Sequence, residues 1–219
     1  GMSATITQLF LSGNQLTSIE VSKFSAMTYL QLSNNLLTSL DVTSLTRLEV
    51  LYVANNRLIS MPKGISSTIQ ILGLSSNEIS SFELTTTSEL RELNVSDNRL
   101  TSLSLSNAPL LADLNFSENK YSSVNLSNLP LITEINFFNS VNAPRADSLV
   151  VNNLPALTAL EAYGIGLKTL TLTGVPSLNR LSISNNNLTA LDLTNLAALQ
   201  TLYVNIVKVF QKKSIVLLK

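Results

Sequence analysis

Hydrophobic and polar positions along this chain repeat with a fixed step. Rows beginning at Ile6, Met27, Leu48, Ile69, Leu90, Leu111, Ile132, Leu157, Leu178 and Leu199 align nearly the whole sequence, 21 residues apart except for one step of 25 after Ile132. Within a row, positions 1, 4 and 6 are apolar, position 9 is Asn, and positions 11, 14, 16 and often 19 are apolar again. Leu90, Leu93, Val95, Asn98, Leu100, Leu103 and Leu105 show the template. Alternate residues of a strand point to opposite faces, so positions 4 and 6 predict the inward side of a short strand and positions 3, 5 and 7 its outward side. One row cannot bury its own leucines; stacked rows can, each touching only its neighbours. After the strand and the Asn turn, about ten residues remain for the return path, fewer than a helix of average length. Leu40, Asp41 and Val42 alternate apolar and polar there. The pattern predicts a mainly β solenoid with short extended or 3₁₀ segments on its convex side, one domain of about ten repeats over 6–219.

The Asn recurs in seven of ten rows, at Asn14, Asn35, Asn56, Asn77, Asn98, Asn119 and Asn186. It stands where the chain leaves the strand and main-chain groups lose their ladder partners. An amide that both donates and accepts can satisfy them row after row, which is a structural role. The repeat, written as LRELNVSDNRL or LNRLSISNNNL, resembles the LxxLxLxxNxL motif of the leucine-rich repeat family, over residues 6 to about 205. The resemblance implies a curved right-handed solenoid with a parallel sheet on its concave side, used mostly for binding protein partners. The 21-residue length and the LTSLDVT-like second half are similar to short-repeat bacterial surface proteins such as the internalins. That favours a cell-surface or secreted protein, with a cytoplasmic one as the alternative.

Two adjacent rows break the pattern. Row seven has Ser140 in place of the ladder Asn and four extra residues within VNAPRADS (141–148), before the return at Leu149 and Val151. Row eight has Ile165 at the ladder position, between Gly164 and Gly166. A bulge or kink between 138 and 167 is expected on the rim, and Pro144 fits a loop there. It is either a tolerated insertion or the shape of a partner site. Row ten has Val207 at the ladder position and the tail KVFQKKSIVLLK, so 206–219 reads as a degenerate last repeat or a C-terminal cap. Gly1 before Met2 reads as an expression scar. The array begins within four residues of Met2, and a bare first strand invites edge pairing. This points to an excised fragment or to end-to-end self-association; otherwise a monomer is expected.

Composition narrows the chemistry. Mean hydropathy is +0.28 with 45% hydrophobic residues, yet no stretch approaches the ~18 apolar residues of a spanning helix. Fourteen basic and 14 acidic residues cancel, which argues against nucleic acid and anionic lipid as partners. With no Cys and no His, disulfides, thiol nucleophiles, Ser-His-Asp triads and His-ligated zinc are all excluded. No cofactor is implied.

The outward columns carry the candidate function. Position 3 runs Gln8, Tyr29, Val50, Ile71, Glu92, Asp113, Glu134, Ala159, Arg180, Thr201; position 5 runs Phe10, Gln31, Tyr52, Gly73, Asn94, Asn115, Asn136, Glu161, Ser182, Tyr203. Over positions 2, 3, 5, 7 and 8 there are seven acids (Glu49, Glu92, Asp97, Asp113, Glu118, Glu134, Glu161) and two bases (Arg91, Arg180). Seven minus two leaves the face about five charges negative, and strands ~4.8 Å apart make neighbouring carboxylates repel by about 1 kcal/mol in water. Three readings follow. One is a solvated face that keeps an exposed sheet soluble. Another is a docking surface for a basic or polar protein partner, with Tyr29, Tyr52, Phe138 and Tyr163 as anchors beside Glu92, Asp113, Glu134, Glu161, Asn94, Asn115 and Asn136. The last is a Ca²⁺ site of Glu92, Asp113 and Glu134 with the oxygen of Asn94 or Asn115. Glu92 and Asp113 also stand near a glycosidase-like separation, but such pairs arise wherever acids occupy adjacent repeats, and no enzyme is inferred. Sequons at Asn94, Asn115, Asn125 and Asn187 match by chance unless the source is a secreted eukaryotic protein. The reading is a non-catalytic protein-binding module; an intracellular scaffold or regulatory subunit and a structural spacer are the alternatives.

Overall fold

The computed structural model describes residues 5–83, 88–105, 108–138 and 146–204. Among them every regular element is a strand. Three-residue strands recur once per row: β1 (Gln8–Phe10), β2 (Tyr29–Gln31), β3 (Val50–Tyr52), β4 (Ile71–Gly73), β5 (Glu92–Asn94), β6 (Asp113–Asn115), β8 (Glu134–Asn136), β10 (Ala159–Glu161), β12 (Arg180–Ser182) and β13 (Thr201–Tyr203). Five-residue strands β7 (Ser123–Ser127), β9 (Ser148–Asn152) and β11 (Thr169–Thr173) lie in the return segments. The row strands form two parallel sheets, β1-β2-β3-β4-β5-β6 and β8-β10-β12-β13, on the concave side of the solenoid; the return strands form a third, β7-β9-β11. Register is the row register: Gln8 opposes Tyr29, and Glu134 opposes Ala159 across the longer step.

The core is the column of template positions. In row two, Met27, Leu30, Leu32, Leu37, Leu40, Val42 and Leu45 are all buried. Most return segments are successive turns in which every third residue points inward: the Phe24 and Met27 N–H groups donate to Val21 and Phe24 carbonyls, and Leu45 and Leu48 repeat this from Val42. This accounts for the apolar spacing at positions 16, 19 and 1. One bond per three residues closes turns without propagating a helix, so of the two convex conformations expected, the described residues show extended strands and turns and no 3₁₀ segment. Rows six to eight are extended because SVNLS, SLVVN and TLTLT alternate faces and are rich in stiff Val and Thr.

The Asn column satisfies main-chain groups of two rows. The Asn77 amide group donates to the Val53 and Leu74 carbonyls, at 3.1 and 3.0 Å, and its oxygen accepts the Leu58 N–H at 2.9 Å. Asn35, Asn56, Asn98 and Asn119 repeat the set. Just before it, position 8 is left-handed in every described row: Gly13, Asn34, Asn55, Ser76, Asp97, Glu118, Gly164 and Asn185 all have positive φ. Asp97 and Glu118, read above only as acids of the face, thus also hold a turn that L-residues other than Asn and Gly adopt reluctantly.

Row eight manages without the amide. Ile165 is buried, and its own carbonyl accepts the Ala146 N–H at 3.0 Å, the bond an Asn oxygen takes elsewhere. Gly164 and Gly166, at φ 66° and 85°, give the main chain the path that turns this carbonyl inward.

The bulge or kink expected between 138 and 167 falls on the insertion at 139–145, outside the described residues; among the described ones the concave sheet breaks one joint earlier. Rows seven and eight pair in register on both faces. Between β6 and β8 the ladder lapses: the paired bonds that Ala112 and Asp113 make to the Arg91 carbonyl, and that Thr158 and Ala159 make to Thr133, have no counterpart from Thr133 and Glu134 to Ala112. The Ser117 hydroxyl stands in, donating to the Asn136 carbonyl and accepting the Phe138 N–H, each at 3.1 Å. Behind this joint Phe116, Tyr121 and Phe137 pack together, with centroids 4.7 to 6.1 Å apart. They occupy positions that other rows fill with aliphatic residues, and the extra volume is partly offset by Ala146 opposite Tyr121. The inserted residues 139–145 with Ser140, and the tail beyond 204, lie outside the described residues.

Candidate functional site

The concave face is where the in-register rows leave side chains without a burial role. The N-terminal rows carry an aromatic run: Phe10 packs on Tyr29 with centroids 5.0 Å apart, and Tyr29 on Tyr52 at 6.1 Å. The Tyr52 ring lies over Gly73, where an added Cβ would come within 2.6 Å of its Cδ1. Glycine thus makes a shallow depression of about 310 Å³, walled by Tyr52 and Ile71 on one side and by Glu92, Asp113, Asn94 and Asn115 on the other. Burial raises the Tyr52 phenol above its ordinary pKa of 10.0, and the negative charge of Glu92 adds to the rise, as does neighbouring Tyr29.

Glu92 opposes Asp113 in register and Asn94 opposes Asn115. Glu134 and Asn136 continue these columns across the break, and all three acids are exposed. The amide oxygens are engaged locally: that of Asn94 accepts the Ser96 N–H and hydroxyl at 3.1 and 2.7 Å, and that of Asn115 accepts the Ser117 N–H at 3.3 Å. Among the described residues no three acidic side chains converge closely enough to share a metal ion.

Glu161 differs from the other predicted acids. It is half-buried and forms an ion pair with Arg180 on the next strand at 2.7 Å. Among the described residues Glu92, Asp113 and Glu134, in rows five to seven, take part in none of the ion pairs. The ion pairs Asp41–Lys63, Glu78–Arg99 and Asp147–Lys168 are not made by the outward residues of the concave strands. Hydrogen bonds from the Thr43 side chain and main chain, then from Lys63, hold Asp41 at about 2, a structural role.

The predicted anchors fall into two groups. Tyr29 and Tyr52 are half-buried before the acids; Phe138 and Tyr163, 40% and 50% exposed, lie beyond them at position 7. Tyr163 accepts a hydrogen bond from the Asn185 amide. Sequence reasoning missed Gly73, Leu114 and Ser117. Gly73 was legible as the one residue without a side chain in its column. Phe138 and Tyr163 stand where neighbouring rows have Ser or Ala, at Ser33, Ala54, Ser75, Ser96 and Ser117, a signal that the nearby joint is special.

Leucine-rich repeat family models match residues 4–58 and 89–114. No curated protein matches the chain in sequence. Among solved structures, the functional domain of InlJ from Listeria monocytogenes is similar at 23% identity and a TM-score of 0.62, over 93% of this chain and 55% of that one. A leucine-rich repeat protein of Leptospira interrogans is similar at 22% and 0.66, over 92% and 61%. The plant peptide hormone receptor RGFR1, solved in complex with RGF2, follows at 19% and 0.62, over 91% and 40%. The chain therefore spans less than two thirds of the length of each. The InlJ domain is described as including a cysteine ladder; here the ladder is asparagine. Among the described residues no helix is long and apolar enough to cross a membrane. With the repeat register, the family-model matches over 4–58 and 89–114 and the shared architecture in agreement, the chain has the leucine-rich repeat solenoid fold.

Proposed function

We propose that this chain is a non-catalytic module that binds a basic protein partner through its concave face, over rows three to seven. The leucine-rich repeat fold is that of a protein-interaction module, and RGFR1 with its peptide is one neighbour solved with a ligand. The observation that carries the reading is segregation: aromatic rings and the Gly73 depression on one side, exposed Glu92, Asp113 and Glu134 on the other, in columns that the core does not need. Keeping like charges in adjacent rows opposes folding slightly, and a cationic surface offsets that while gaining association rate and specificity. A surface or secreted location accords with the style of repeat and belongs to the same proposal.

The test is the triple variant Glu92→Gln, Asp113→Asn, Glu134→Gln. Capture of the natural partner weakens at least about tenfold and loses most of its salt dependence, while circular dichroism and the thermal midpoint stay as in the parent. Capture of equal strength, with equal salt dependence, removes the acidic face from the function.

A further inference from the structure

The opening between β6 and β8 is more than a fault in the ladder. At position 4 of the interior rows, Leu30, Leu51, Leu72, Leu93, Ile135, Leu160 and Leu181 are buried. Leu114 alone among the described interior rows is only half-buried, like Leu9 and Leu202 in the first and last. Where the strands part, a cleft of about 420 Å³ forms, with Leu114 in its lining, Phe138 at its edge, and Asn115, Ser117 and Asn136 around it. Asp97 and Glu118 also line it, and Asp113 and Glu134 stand on the two strands that flank it. The cleft shares Leu114 and Asn115 with the Gly73 depression, so the two form one trough along the face.

We infer that this cleft is a specificity pocket for one aliphatic side chain of a partner segment whose flanking residues are Lys or Arg. Size and lining select the aliphatic group: an exposed apolar floor and an aromatic edge gain most from a side chain of leucine size. Charge selects the flanks, because among the described residues the ionisable groups that line the cleft, Asp97 and Glu118, and those on the strands flanking it, Asp113 and Glu134, are all acidic. The β7-β9 pairing stays in register behind the opening, so the pocket stands on a rigid backing. The inference rests on the acidic-face reading and adds to it a residue-level preference that the face alone does not supply.

The experiment uses labelled synthetic heptapeptides, GKRLRKG, GKRARKG and GEELEEG, titrated against the full chain by fluorescence anisotropy. GKRLRKG binds about tenfold tighter than GKRARKG, the ratio expected for burying the larger side chain, and GEELEEG does not bind. Asn136→Trp, which fills the cleft, removes the Leu-over-Ala difference while salt-dependent binding of both basic peptides persists. Phe138→Ser, which restores the residue of the regular rows, reduces the difference. The triple neutral variant loses both peptides. Equal binding of GKRLRKG and GKRARKG to the parent overturns the pocket and leaves the acidic face standing; failure of every basic peptide overturns both. Dimerisation of the parent in sedimentation, relieved by Asn136→Trp, also overturns the proposal, since the cleft then belongs to a second copy.

Discussion

Row four and row seven must each find partners for the same set of buried main-chain groups, and they do it on opposite sides of the solenoid. In row four, Asn77 ties itself to Val53 and Leu58 of the row before, and the concave ladder is complete toward both neighbours. In row seven the concave ladder toward row six is reduced to the Ser117 hydroxyl bridge and one main-chain bond, from the Glu118 N–H to the Phe138 carbonyl at 3.0 Å, whereas the return strand β9 is paired along five residues with both neighbours. A side-chain amide in row four and the Ile165 main-chain carbonyl in row eight take the same bond to the row before. What differs between rows four and seven is the surface left over: a closed sheet in the first case, an open cleft in the second.

The largest expected effect comes from removing the amide where it is indispensable. Asn77→Ala leaves the Leu58 N–H and two carbonyls buried without partners and should cost about 4 kcal/mol by urea denaturation, with lost exchange protection at Leu58. Asn14→Ala, in the exposed first row, should cost under about 1 kcal/mol. Equal effects would mean that the column holds no row to another. Val150→Pro acts on the other half. Proline in the middle of β9 removes a donor from a strand paired on both edges and should cost about 3 kcal/mol, with rows seven to ten melting before rows one to five. A single transition at the parental midpoint would show that the convex sheet does not join them.

The smallest effect tests whether the aromatic and acidic halves of the face touch electrostatically. Burial, then Glu92, then Tyr29 raise the Tyr52 pKa. A raised phenol favours the neutral form in the fold, so its contribution to stability is complete below the unfolded value near 10 and is lost as pH rises through the folded value. Glu92→Gln removes one of the raising charges and leaves burial in place. Phenolate absorbance should then show Tyr52, identified with Tyr52→Phe, ionising at lower pH than in the parent but still later than a free tyrosine. No displacement would separate Glu92 from the ring.

Most of the architecture was legible because period and burial are linked: positions 1, 4, 6, 11, 14 and 16 could be assigned inward without coordinates, and the outward columns followed with their register. The Asn role was legible for the same reason, since its chemistry fits only one local need. The left-handed position 8 was not read, although Gly13, Asn34 and Asn55 hinted at it, because Ser76, Asp97 and Glu118 obscure the preference. The break between β6 and β8 was not read, because the visible irregularity is the four-residue insertion, and Phe116, Phe137 and Tyr121 fit the apolar template and reveal nothing until their rings are seen to pack together. Ile165 looked like a lost ladder residue, and only the direction of its carbonyl shows how the bond survives.

The cross-row asparagine bonds all point one way. In rows two to six each amide reaches back 24 residues to a carbonyl and 19 to an N–H of the preceding row, and contributes nothing forward. A chain synthesised from its N-terminus would therefore leave only its newest turn with open valences, each later turn sealing the one already made. Such an array zips in the direction of translation, and the polarity of a single side chain sets that direction.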